Sequence, residues 1–130
     1  MSLDNEDRSG NAQETPAVSL RPQLHVSVGS QDKASLWKLD GEVDLSSAPL
    51  LYEHYGAAAP DPGANLIIDL RAVTFLDSSG LAFLTFVHQD LRAQGSQLIV
   101  LEPPSAIRRL FDITGLTPIF RIEPRELPET

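Results

Sequence analysis

The chain has 130 residues, 42% of them apolar and 22% charged, with a formal net charge of −8 and no cysteine. That size and composition suit one globular domain with its own core, and they exclude a disulfide scaffold, a thiolate metal centre and cysteine redox chemistry. The acidic balance argues against nucleic acid or an anionic membrane as a direct partner, since both are held largely through clustered lysine and arginine.

Residues 1–22 are polar, show no apolar period and include Pro16 and Pro22, which predicts a flexible leader. The opening stretch lacks the basic start and apolar centre of a secretion signal, and no apolar run approaches the ~18 residues of a membrane span. The expectation is a cytoplasmic chain without membrane insertion, with its folded domain over residues 23–123.

Leu24-His25-Val26-Ser27-Val28 alternates apolar and polar residues as a half-buried strand does, and Ala34 to Leu39 reads as a second strand, with Gly29 to Asp32 as the turn between them. Asp40 to Pro49 carries a helix-start signal, serines able to cap followed by a proline tolerated in the first turn. A helix is expected over Pro49–Ala59, weakened by Gly56 and ended by Pro60-Asp61-Pro62-Gly63. Asn65 to Leu70 is short, apolar and β-branched at its centre, which suits a strand covered on both faces.

The clearest helix runs from Ser78 to Gln94, with Leu81, Leu84, Val87, His88 and Leu91 on one face and Gly95 as the stop. Gln97 to Leu101 is a further buried strand. Pro103-Pro104-Ser105 opens a helix through Asp112, Gly115-Leu116 fits its cap, and Ile119 to Ile122 makes a last strand. The proline-rich, acidic tail over 124–130 is expected to be loose. Two strands followed by alternating helices and strands predict a single α/β domain: a mostly parallel sheet of about five strands, one edge strand antiparallel, with helices packed on it.

Phe75-Leu76-Asp77-Ser78-Ser79-Gly80-Leu81 lies between a buried strand and the best helix. With Asp77 as N-cap, its carboxylate can accept the amides of Ser79 and Gly80, while Leu76 and Leu81 fall at the positions of a hydrophobic staple. Ser78 then occupies the first helical position with its hydroxyl free to face solvent. A phosphoryl group there adds roughly −1.5 to −2 charges, which the helix amides offset by only ~0.3–1 kcal/mol. On the residues alone, Ser78 reads either as an ordinary helix-start serine or as a phosphoacceptor.

Three blocks favour the second reading. Gly41-Glu42-Val43-Asp44, then Phe75 to Leu81, then Ala106-Ile107-Arg108-Arg109-Leu110-Phe111-Asp112-Ile113-Thr114-Gly115-Leu116 closely resemble the STAS domains of bacterial anti-sigma factor antagonists, in family order over Leu24 to about Ile122. The resemblance implies partner switching: the unphosphorylated antagonist binds a serine kinase that also serves as an anti-sigma factor, and phosphorylation releases it. The family's phosphoacceptor, the serine directly after the aspartate, maps onto Ser78. Asp44, Ser46, Asp77, Ser79 and Gly80 join it as expected partner-binding residues. ATP and magnesium belong to the kinase, so no cofactor is expected here.

Other features read as structural. His25, His54 and His88 lack metal-ligand spacing, and neither a phosphate-binding loop nor a nucleophile elbow occurs, so no metal site and no catalysis are expected. Arg108 and Arg109 read as solvated, Trp37 as core, and Phe75, Phe83 and Phe86 as core or near-core, though one exposed phenylalanine near the helix start would suit a binding surface. Many members of the family end in one more helix, which the two prolines of Glu123 to Pro128 forbid here, leaving oligomeric state open. The rival reading is an accessory subunit of a lipid or anion transporter, or part of a stress-signalling assembly, with Ser78 unmodified.

Overall fold

Strand β1 (Leu24–Gln31) turns into β2 (Ala34–Val43) in the computed structural model, which describes residues 23–123 apart from Glu102. The expected leader and tail lie outside the described residues. The turn is shorter than the sequence suggested: only Asp32 and Lys33 lie between the strands, with φ of 51° and 72°. Two successive residues at positive φ give a hairpin loop whose twist matches that of the strands it joins. Gly29 to Gln31, expected in the turn, are therefore strand.

Next come α1 (Ala48–Ala58), β3 (Leu66–Leu76), α2 (Ser78–Ala93), β4 (Leu98–Leu101), α3 (Ser105–Thr114) and β5 (Arg121–Glu123). The sheet order is β1-β2-β3-β4-β5, antiparallel between β1 and β2 and parallel thereafter, so the single antiparallel edge falls where the sequence put it. Sequential parallel strands joined by right-handed crossovers carry their helices on one face. The burial pattern agrees: Leu66, Ile68 and Leu70 share the main core with Leu51, Phe83, Leu84, Ile107 and Phe111, while the alternate Ile67 joins Ile99 and Leu101 in a second cluster.

Two strands run further than their sequence pattern indicated. β2 continues through Gly41-Glu42-Val43, where the sequence pattern points to the approach to a helix, and β3 continues past Leu70 to Leu76. The extensions support each other, pairing Asp40 with Ala72, Gly41 with Val73, Glu42 with Phe75 and Val43 with Leu76, with register shifts that break the simple alternation. Gly41 sits at one shift with φ 123°, and a β-carbon there would collide with the carbonyl of Gln23. Only glycine adopts that backbone without penalty.

Both predicted helix stops hold. Gly95 (φ 78°) follows α2, with the Ser96 amide donating to the Leu91 carbonyl at 2.8 Å, and Gly115 (φ 77°) caps α3, with the Leu116 amide donating to Phe111 at 2.8 Å. Trp37 is fully buried as expected, but Phe75 and Phe86 are 49% and 44% exposed rather than core. Phe75 lies in the irregular stretch of β3, paired with Glu42 beyond the register shifts.

Candidate functional site

β2 and β3 are parallel and finish level with each other, at the pair Val43 and Leu76. The next residues, Asp44 and Asp77, therefore leave the sheet side by side, and the Asp77 amide extends the ladder by donating to the Val43 carbonyl at 3.1 Å. This is the carboxyl edge of a parallel sheet, where open α/β folds gather their ligands. The topology thus brings together Asp44, Ser46, Asp77, Ser78, Ser79 and Gly80.

Asp77 caps α2 in extended conformation, its Oδ1 accepting the Ser79 amide at 2.8 Å. The Gly80 amide, expected to share that carboxylate, is not bonded to it. Ser78 is the first helical residue and exposed; its hydroxyl makes no hydrogen bond among the described residues. Ser79 is half-buried and Gly80 buried. A β-carbon on Gly80 would lie 2.7 Å from Leu76 Cγ and 2.9 Å from Val43 Cγ1, closer than real side-chain contacts allow. Gly80 thus lets the first turn of α2 rest directly on the ends of both strands, which fixes the height at which Ser78 stands above the sheet.

Asp44 organises the neighbouring loop. Its Oδ1 accepts from the Ser46 hydroxyl at 2.8 Å, the Ser46 amide at 3.0 Å and the Ser47 amide at 3.0 Å. The Ser46 hydroxyl lowers its pKa most; desolvation opposes this, and the amides of Ser47 and Ser46 with the Ser47 hydroxyl add to the lowering, so the carboxyl stays below its ordinary value. The expectation that serines cap α1 through their side chains does not hold. Ser47 stands at the N-cap without such a bond, and its hydroxyl turns back to accept the Asp44 amide at 2.9 Å and donate to the Glu42 carbonyl at 2.8 Å. Ser46 is accordingly committed to Asp44, whereas Ser78 has no such bond among the described residues.

Around this constellation the surface is acidic and partly apolar. Leu45, between the two organised residues, is 78% exposed, and Phe75 stands next to Glu42 across the β2–β3 pair. Sequence reasoning passed over Leu45; its signal was a large apolar residue placed in a polar turn. The ion pairs Arg71–Asp69, Arg108–Asp112 and Arg121–Glu123 among the described residues do not involve Asp44 or Asp77. The histidines stay apart: His25 is on β1, His54 on α1 against Trp37, and His88 on α2 against Phe120. No helix among the described residues is long and apolar enough to cross a membrane.

A family model described as the STAS domain matches residues 25–126. The anti-sigma-B factor antagonist of Bacillus subtilis is 34% identical over 99 residues, covering 76% of this chain and 90% of that protein. Among solved structures, an anti-sigma factor antagonist from Mycobacterium paratuberculosis aligns with a TM-score of 0.64 at 35% identity, covering 76% of this chain and 84% of its own. The unphosphorylated anti-sigma factor antagonist SpoIIAA shares the fold with the same TM-score at 21% identity, covering 76% and 88%. The chain belongs to the STAS domain family, in the branch of the anti-sigma factor antagonists.

Proposed function

We propose that this protein is a non-enzymatic anti-sigma factor antagonist of the cytoplasm, which binds a serine-kinase anti-sigma factor while Ser78 is unmodified and is released when Ser78 is phosphorylated. The observation that carries the reading is the exposed Ser78 hydroxyl at the start of α2, without a hydrogen bond among the described residues, at the sheet edge that also holds the organised carboxylates Asp44 and Asp77. The antagonist names of its relatives support the partner class.

In this scheme the Ser78 Oγ takes the γ-phosphoryl group of ATP held by the kinase; the O–P bond to ADP breaks, ADP leaves, and the hydroxyl proton passes to the kinase or solvent. No group on Ser78 has to be released from an internal bond first. The product places a near-dianion among Asp44, Asp77 and Glu42, in an interface formed around a neutral hydroxyl. Repulsion and desolvation then act together, and each ~1.4 kcal/mol lost weakens binding tenfold. A penalty of a few kcal/mol is enough to dissociate the complex.

Incubation with purified serine-kinase anti-sigma factors and ATP, followed by peptide mass spectrometry, tests this directly. Phosphate on Ser78, absent from Ser78→Ala, together with loss of the complex, is the expected result. A stable complex with a transporter ATPase and no label on Ser78 would replace this reading with the accessory-subunit one.

A further inference from the structure

Two aromatic side chains stand partly out of the helical layer where α1 and α2 meet. Tyr52 is 41% exposed and Phe86 44%, with ring centroids 5.5 Å apart. Both are braced from below: Tyr52 meets the buried Phe83 edge-on at 5.0 Å, and Phe86 meets Tyr55 edge-on at 5.8 Å. Tyr55 is itself pinned, its hydroxyl donating to Asp90 Oδ2 at 2.6 Å. The pair forms a firm platform.

Its position relates it to Ser78. α1 and α2 both begin at the Asp44–Asp77 edge and follow parallel strands, so they run in the same general direction away from it. Phe86 lies two turns beyond Ser79 on nearly the same helical bearing, roughly 10 Å further along the axis, with exposed Ala82 between. From Ser78 through Val87, α2 contains no Asp, Glu, Lys or Arg. A surface helix ordinarily keeps charged and polar residues on its outer face; between the exposed Ser78 and the exposed Gln89 and Arg92, this one presents Ala82 and Phe86.

We infer that the anti-sigma factor covers the α1–α2 seam as well as the Ser78 edge, anchored by Tyr52 and Phe86 in an apolar depression of its own surface. The inference rests on the proposed function. A standard interface takes about 800 Å² from each partner, a patch about 30 Å across, so a protein seated on Ser78 reaches the pair. Tyrosine is among the residues that carry most binding energy at such interfaces, and phenylalanine is enriched in them. The seam supplies affinity that does not depend on the phosphorylation state, while Ser78 supplies the switch.

The test is calorimetric titration with the serine-kinase anti-sigma factors of the source genome, purified singly, the tightest binder of the unmodified chain serving as titrant. Tyr52→Ala and Phe86→Ala are each expected to weaken binding tenfold or more, with Tyr52→Phe close to the parent. Ala82→Arg, which removes no packing, is expected to weaken it similarly and decides the matter if either alanine variant loses its far-UV circular dichroism. Combined with Ser78→Asp, the losses should multiply, as for separate sites. Undiminished binding by Ala82→Arg and both alanine variants, with Ser78→Asp impaired, overturns the seam and leaves the Ser78 reading standing. Failure of every anti-sigma factor to bind the unmodified chain overturns both.

Discussion

The amide of Asp77 donates to the carbonyl of Val43 at 3.1 Å, one residue beyond the last β2–β3 pair. The ladder therefore continues into the cap of α2, and the helix that presents Ser78 is seated on the sheet rather than hung from a loop. Displacing this joint should alter both stability and recognition.

Gly80→Ala is the most direct displacement. In a helix interior the change ordinarily gains about 1 kcal/mol, but here the new methyl would press on Leu76 and Val43 at 2.7 and 2.9 Å. Overpacking of this kind costs about 1–3 kcal/mol, so net destabilisation is expected. It should show as a lower urea midpoint at an unchanged slope; a raised midpoint would mean that the two side chains yield.

Asp77→Ala should cost about 0.5–2 kcal/mol through loss of the cap to the Ser79 amide, whereas Asp77→Asn should retain most of that stability. The two variants separate capping from charge. If the carboxylate also faces the partner, Asn lowers affinity in calorimetric titration while thermal unfolding stays near the parent.

Ser78 should be nearly silent in the fold. Its hydroxyl makes no hydrogen bond among the described residues, so Ser78→Ala is expected to change unfolding free energy by no more than about 0.5 kcal/mol and to keep partner binding. Ser78→Asp, with one fixed negative charge, should weaken binding by at least tenfold in the same titration. Equal affinity for both variants would remove the switch.

Asp69 should contribute to acid stability. It is buried, and although burial opposes its ionisation, its bonds from the Arg71 side chain and amide and the nearby Lys38 charge outweigh that and lower its pKa. A carboxyl depressed in the folded state contributes stability that is present above the ordinary aspartate pKa and is lost as pH falls through its folded value. Chemical denaturation at stepped pH should show this loss below about pH 4. In Asp69→Asn the acid limb should flatten, with about 1–3 kcal/mol less stability at neutral pH from the disrupted bonds.

The elements with one dominant pattern were legible in the sequence. The period of α2, its glycine stop, and the apolar runs of β3 and β4 each specify one structure, and the Asp77 cap was read from its place before that helix. The ends of β2 and β3 were not, because the register shifts around Gly41 scramble the alternation on which strand reading depends. Phe75, expected at or near the core, is instead the exposed phenylalanine near the start of α2 that the sequence reading allowed for. Ser47 was read as a side-chain cap because it precedes a proline at a helix start; its hydroxyl serves the end of β2 instead, a tertiary bond that no local pattern encodes. Gly80 was read as a partner-binding residue, and its tight contact with Val43, distant in sequence, emerges only once β2 and β3 lie together.

The chain has a single tryptophan, Trp37, fully buried between strands and helices with His54, Tyr55 and Phe83 around it and no partner for its indole N–H among the described residues. An indole so sealed from water emits at short wavelength, and its light shifts to the red when the core opens. The protein therefore carries an intrinsic optical gauge of its own integrity, placed in the interior rather than on the proposed docking surface, against which every variant above can be checked without a label.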